Sequence, residues 1–159
     1  MRYKYIKSIG FTMIELLVVI SIIGILATLF LANYNAARTR ARDAQRKADL
    51  RNIQTALRLY YNDNVGYPAS SVGQIVGCGG ATPAACGWGA EAFIRNGVTY
   101  MSTLSADPQS PDQDYIYNQT GIDTYTLVAC LENASDDSCD DPVVNCINGT
   151  HGCEYTVMP

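Results

Sequence analysis

"KSIGFTMIELLVVISIIGILATLFLA", residues 7–32, decides how the rest of the chain is read, because it sets a carboxylate, Glu15, inside the most apolar segment of the protein. An isolated ionised carboxylate in hydrocarbon costs several kcal/mol, so a glutamate at that depth calls for a partner. From Leu16 to Ala32 there is no charge, and the only polar side chains are Ser21 and Thr28. Phe11 to Ala32 is 22 residues, about 33 Å as a helix against a hydrocarbon core of about 30 Å. The segment exceeds the usual apolar region of a secretory signal, and Ala27-Thr28-Leu29 is a poor A-x-A cleavage site. It is therefore expected to stay on the mature protein.

Downstream of this segment the helical pattern continues. No proline interrupts residues 11–67, and "AARTRARDAQRKADLRNIQTALRLYYNDN" (36–64) is rich in good helix formers. Leu50, Ile53, Leu57 and Tyr60 recur at helical spacing and form one stripe, with Arg51, Asn52 and Arg58 pointing away. One continuous helix from about Phe11 to Tyr61 would be on the order of 75 Å long, more than a domain of this size covers. Its first half needs something other than its own domain to bury it.

"NDNVGYP" (62–68) closes the helix, since Pro68 disfavours helical geometry at Tyr67. After it come a glycine-rich loop (77–90) and a short helical candidate from about Glu91 to Arg95. "YIYN" (115–118), the turn "QTGID" and "TYTLVACLE" (124–132) read as an antiparallel hairpin. Tyr125, Leu127, Ala129 and Leu131 alternate on one face that can pack on the helix stripe. "EYTV" (154–157) is a possible third strand. The expected fold class is α+β: a long N-terminal helix, membrane-spanning then amphipathic, packed on a small antiparallel sheet, with a disulfide-bridged C-terminal region.

Charge is divided along the chain. The 11 basic and 15 acidic residues give a net charge of −4, yet from residue 61 onward only Arg95 is basic, against twelve acids. That zone repels a phosphate backbone, so direct nucleic-acid binding by the isolated head is not expected. The segment 38–47 is basic and has two readings: a solvated helix face near lipid headgroups, or a surface that pairs with acidic patches of adjacent subunits.

Cys78, Cys86, Cys130, Cys139, Cys146 and Cys153 all fall in the acidic zone, which points to an oxidising compartment. Local bridges are expected, with the pairing open. A zinc site is disfavoured because C-x2-C pairs are absent and His151 is the only histidine. Glu132, Asp136, Asp137, Asp140 and Asp141 form a loop dense in hard oxygen ligands, either a solvated acidic loop or a calcium site. No catalytic constellation appears, so an enzyme is not expected and no cofactor is required.

"GFTMIELLVVISIIGILA" (10–27), with its basic leader ending at Gly10, closely resembles the prepilin N-terminus of type IV pilins and of the pseudopilins of type II secretion and competence systems. "RDAQRKADLRNIQTALRLYYNDNVGYP" (42–68) and "YMSTLSADP" (100–108) extend the likeness to roughly half the chain. The resemblance implies cleavage by a membrane prepilin peptidase between Gly10 and Phe11 and N-methylation of Phe11. It implies that Glu15, fifth in the mature chain, meets the amine of a neighbour's Phe11 in the filament. The implied domains are 1–10 as the removed leader, 11–35 as the transmembrane and filament-core helix, and 36–159 as the head, with amphipathic helix to about 62.

The implied function is that of a structural subunit of a type IV pilus-like surface filament serving adhesion, motility or DNA uptake. It would be a homo-polymer built with an inner-membrane assembly platform and ATPase. The subunit spans the membrane once before assembly, with its head outside the cytoplasm, and joins an extracellular filament afterwards. Two rivals remain: a type II secretion or competence pseudopilin, and a single-pass anchored binding domain that never polymerises. The chain departs from many major pilins in having Ala32 where they have proline, leaving only Gly24 and the Asn33/Asn35 pair to loosen the helix. Flanking basic residues alone would place the head in the cytoplasm; the cysteines and the leader argue the opposite.

Overall fold

The computed structural model describes residues 10–78, 83–139 and 152–159. Its first element is one uninterrupted helix, α1 (Met13–Asn64), and the chain divides into two units after Arg38. In the first unit the described side chains of the apolar run of α1 are exposed, and the helix is long and apolar enough to cross a membrane. Both hydroxyls within that run are satisfied by the helix itself. Ser21 Oγ donates to the Leu17 carbonyl at 2.7 Å, and Thr28 Oγ1 donates to that of Ile25 at 2.8 Å.

The second unit, from Thr39, is an α+β head. Leu50, Ile53, Leu57 and Tyr60 are all buried, as their spacing predicts, and Ala56 completes the stripe. Against them lies an antiparallel sheet of β6 (Ile116–Gly121), β7 (Thr124–Leu131) and β8 (Cys153–Val157), with β7 in the centre. Leu127 stands opposite Tyr117 on one side and Val157 on the other. Tyr125, Leu127, Ala129 and Leu131 all face the core. The hairpin and third strand therefore form as the alternation predicts.

The segment after the helix is stitched to this hairpin. The Tyr67 N–H donates to the Ile122 carbonyl at 2.8 Å, and the Tyr117 hydroxyl donates to the Pro68 carbonyl at 2.7 Å. Next come β1 (Ser70–Ser71), β2 (Gln74–Cys78) and β3 (Ala84–Ala85), paired in that order. Rings fill the space between helix and strands: Tyr60 stacks on Phe93 with centroids 5.3 Å apart, and Tyr67 meets Tyr125 edge-on at 4.6 Å.

The helix expected over Glu91–Arg95 is a strand. β4 (Phe93–Arg95) pairs with β5 (Val98–Met101) across Asn96-Gly97, both at positive φ (50° and 80°). Asn-Gly is the preferred pair for a two-residue hairpin turn, because both positions need left-handed backbone. Burial of Phe93 in the core then holds the strand.

Disulfides join Cys78 to Cys86 and Cys139 to Cys153. Cys130 is oxidised as well, while Cys146 lies outside the described residues.

Candidate processing and assembly site

The helix begins with a reciprocal cap. Thr12 precedes its first turn, and Glu15 Oε2 accepts both the Thr12 N–H (2.9 Å) and the Thr12 hydroxyl (2.8 Å). Thr12 Oγ1 in return accepts the Glu15 N–H at 3.3 Å. This is a capping box, T-x-x-E, which satisfies helix donors that have no partner within the helix and sets a negative charge at the positive end of the helix dipole. The pattern is visible in the sequence and supplies a partner for Glu15 within its own chain.

Oε1 of Glu15 takes no hydrogen bond among the described residues. Phe11 is 85% exposed just before the cap, and Phe11, Ile14, Glu15, Val18 and Val19 line one open groove. The carboxylate is thus held at a fixed height with one oxygen open to a cation. Gly10, exposed and without side chain, immediately precedes Phe11.

A second charged site lies in the head. Arg46 is completely buried. Its Nε donates to Asp107 Oδ2 at 2.7 Å, and its Nη2 donates to Asp107 Oδ1 at 3.0 Å and Gln109 Oε1 at 2.7 Å. Its Nη1 donates to Asp43 Oδ1 at 2.8 Å and Glu132 Oε1 at 2.9 Å. Asp43 also accepts the backbone N–H groups of Glu132 and Asn133, each at 2.9 Å. Arg42 forks onto both oxygens of Glu132, and Lys47 Nζ donates to Asp136 Oδ1 at 2.5 Å.

These contacts set the ionisation of the cluster. Burial opposes the charge on Arg46, but its hydrogen bonds to Asp107 and the charge of that carboxylate, followed by its bonds to Glu132 and Asp43, hold its pKa above the ordinary value. The Arg42 hydrogen bond holds Glu132 below its ordinary value despite burial, and the Lys47 hydrogen bond does the same for Asp136. One turn and a half of α1 thereby fastens two loops, that of Asp107 and that of Glu132 to Asp136, to the helix.

Comparison with known proteins gives the family. The prokaryotic N-terminal methylation motif matches residues 7–31. The type II secretion system core protein G of Pseudomonas aeruginosa is 31% identical over 136 residues, covering 82% of this chain and 91% of that protein. The chain belongs to the type IV pilin and type II secretion pseudopilin family. The core protein G of Escherichia coli K12 is 32% identical over 108 residues, 67% of this chain and 70% of that one. The wide pilus major component PilA4 of Thermus thermophilus is 42% identical over 66 residues, 42% of this chain and 50% of that one. No solved structure matches the chain.

Pilin-family proteins are structural subunits, and the methylation motif at the N-terminus is a processing substrate. In this pilin-family chain the basic segment 38–47 is not one solvated face. Arg38 and Arg40 are exposed, but Arg42, Arg46 and Lys47 turn toward the head. The reason is periodic: Arg46 and Asp43 sit four and seven residues before Leu50, so they continue the buried stripe. Extending that stripe backwards would have found them.

The expected acidic-loop ligands are dispersed. Glu132 and Asp136 face Arg42, Arg46 and Lys47, Asp137 is exposed, and Asp140 and Asp141 lie outside the described residues. Among the described residues no three His, Cys, Asp or Glu side chains converge to hold a metal ion.

Proposed function

We propose that the chain is the precursor of a filament subunit, cut between Gly10 and Phe11 and methylated on the Phe11 amine. Its apolar helix leaves the membrane to become the filament core. The observation that carries this reading is the Thr12–Glu15 cap, which fixes one carboxylate oxygen and leaves Oε1 open beside Phe11. In the membrane the cap lowers the cost of the buried charge. In the filament Oε1 receives the Phe11 ammonium of a neighbouring subunit, and a copy at the wrong height would strand two charges. Assembly would draw on an inner-membrane platform and its ATPase, with the head outside the cytoplasm, where its cysteines oxidise.

Of the machines that use such filaments, a type II secretion system is the better supported. The likeness to core protein G runs through most of the chain, head included, whereas the likeness to PilA4 covers under half of it. A surface type IV pilus is the second reading, favoured by that pilin likeness at higher identity.

Glu15→Ala tests the reading. It should leave precursor cleavage intact while abolishing filaments seen by electron microscopy; filaments of wild-type number and length would refute it. Deleting the gene separates the machines: loss of a secreted protein with surface fibres intact indicates secretion, and the reverse indicates a pilus.

A further inference from the structure

The face of α1 turned away from the sheet carries cations without partners. Arg40, Arg51 and Arg58 are exposed, and none of their guanidinium groups takes an ion pair or hydrogen bond among the described residues. Spacings of eleven and seven residues, close to three and two helical turns, put them on one stripe. Leu59, half exposed, adjoins Arg58.

A patch of opposite charge lies where α1 ends. Val65 and Ile122 are 79% and 69% exposed, and Gly66, next to Val65 in the chain, lies against Ile122, where a Cβ would be 3.0 Å from Ile122 Cγ2. Asp63 and Asp123 flank them. Asp63 accepts the Tyr100 hydroxyl at 3.1 Å and Asp123 that of Tyr61 at 2.8 Å, with no cation within 4.0 Å of either among the described residues. Val65 has φ 56°, the left-handed conformation in which helices usually place glycine or asparagine. A β-branched residue is strained there, yet this one presents its methyl groups to water.

We infer that the patch of Val65, Ile122, Asp63 and Asp123 docks on the outer face of α1 of a second copy, against Arg51, Arg58 and Leu59. Each surface combines an apolar centre with charges at its rim, and the signs are opposite. An anionic membrane would attract the arginines and repel the two aspartates, whereas a second copy uses both. Because the two surfaces differ, copies arranged in parallel can repeat the same head-to-tail contact from one subunit to the next along a filament. Arg58 and Arg51 precede Asp63 by five and twelve residues, so neighbours are offset along α1 by about 8 to 18 Å.

The inference rests on the filament reading and adds a contact to it that is independent of Glu15. The test uses the full-length chain in its own host, with a photo-crosslinking amino acid in place of Leu59. Irradiated filaments should yield a between-copy adduct mapping to residues 61–67 or 121–124. Arg51→Glu with Arg58→Glu should cut filament yield at least tenfold, as should Asp63→Lys with Asp123→Lys, and combining all four should restore most of it. Unchanged thermal midpoints would show that each variant folds.

Adducts that map elsewhere, reversals without effect, or a combination that fails to restore yield would overturn the inference while leaving the filament reading in place. A wild-type chain that forms no filaments would overturn both.

Discussion

Arg46 and Asp107 meet fork to fork inside the head, Nε to Oδ2 at 2.7 Å and Nη2 to Oδ1 at 3.0 Å, with neither side chain exposed at all. A pair so desolvated is worth little more than hydrophobic packing of the same volume, but breaking it strands a buried charge. Arg46→Met should therefore cost the head fragment (residues 36–159) about 3 to 5 kcal/mol in urea unfolding. Arg46→Met combined with Asp107→Leu should recover much of that loss. Equal losses for the single and double variants would show that the charges are not coupled.

Acid should loosen the loop that follows β7. Glu132 and Asp136 both hold their protons less tightly when folded than when unfolded. Unfolding therefore takes up protons, and stability rises with pH through their titration. Their contribution is complete above the ordinary values of 4.5 and 3.8 and is lost as pH falls through the lowered folded values. Thermal midpoints between pH 7 and pH 2 should trace that decline, and Glu132→Gln should flatten it. A wild-type acid limb in the variant would contradict the assignment.

At high pH the sign reverses. Burial first, then the Tyr67 charge, pushes Tyr125 up to about 12, and burial with Asp49 raises Tyr115 further. A raised tyrosine contributes stability that is complete below about pH 10 and lost as pH rises through the folded value. Ultraviolet titration of tyrosinate should show these rings titrating late, together with unfolding. A single simple titration of all tyrosines near pH 10 would contradict their burial.

Gly77 in β2 has no room for a side chain: a Cβ there would lie 2.5 Å from Phe93 Cε2, and Phe93 is held by Tyr60 and Tyr100. Gly77→Ala should destabilise the head by about 1 to 3 kcal/mol through overpacking. Phe93→Leu in the same background should recover part of it. A wild-type midpoint for Gly77→Ala would mean that the ring moves freely.

What was legible in the sequence was whatever repeats with a simple period. The Leu50, Ile53, Leu57, Tyr60 stripe and the alternation from Tyr125 to Leu131 each predicted their element and its buried face. The β4–β5 hairpin was missed because strands of three and four residues carry too little periodicity to outweigh helix formers, although Asn96-Gly97 held the signal. Arg46 was missed because an arginine reads as surface until its partners are known, and Asp107 and Glu132 lie 61 and 86 residues away in the chain. At the N-terminus, a carboxylate in an apolar run singled out Glu15, and the T-x-x-E spacing to Thr12 held the signal for the partner that the structure shows.

The central claim is that Glu15 waits, with one oxygen open, for an amine that exists only after cleavage. Mass spectrometry of the N-terminal peptide from sheared or membrane-extracted filaments tests it most directly. The account predicts a chain beginning at Phe11 and carrying one added methyl group. Assembled material that still bears Met1 to Gly10 ahead of Phe11 would contradict it.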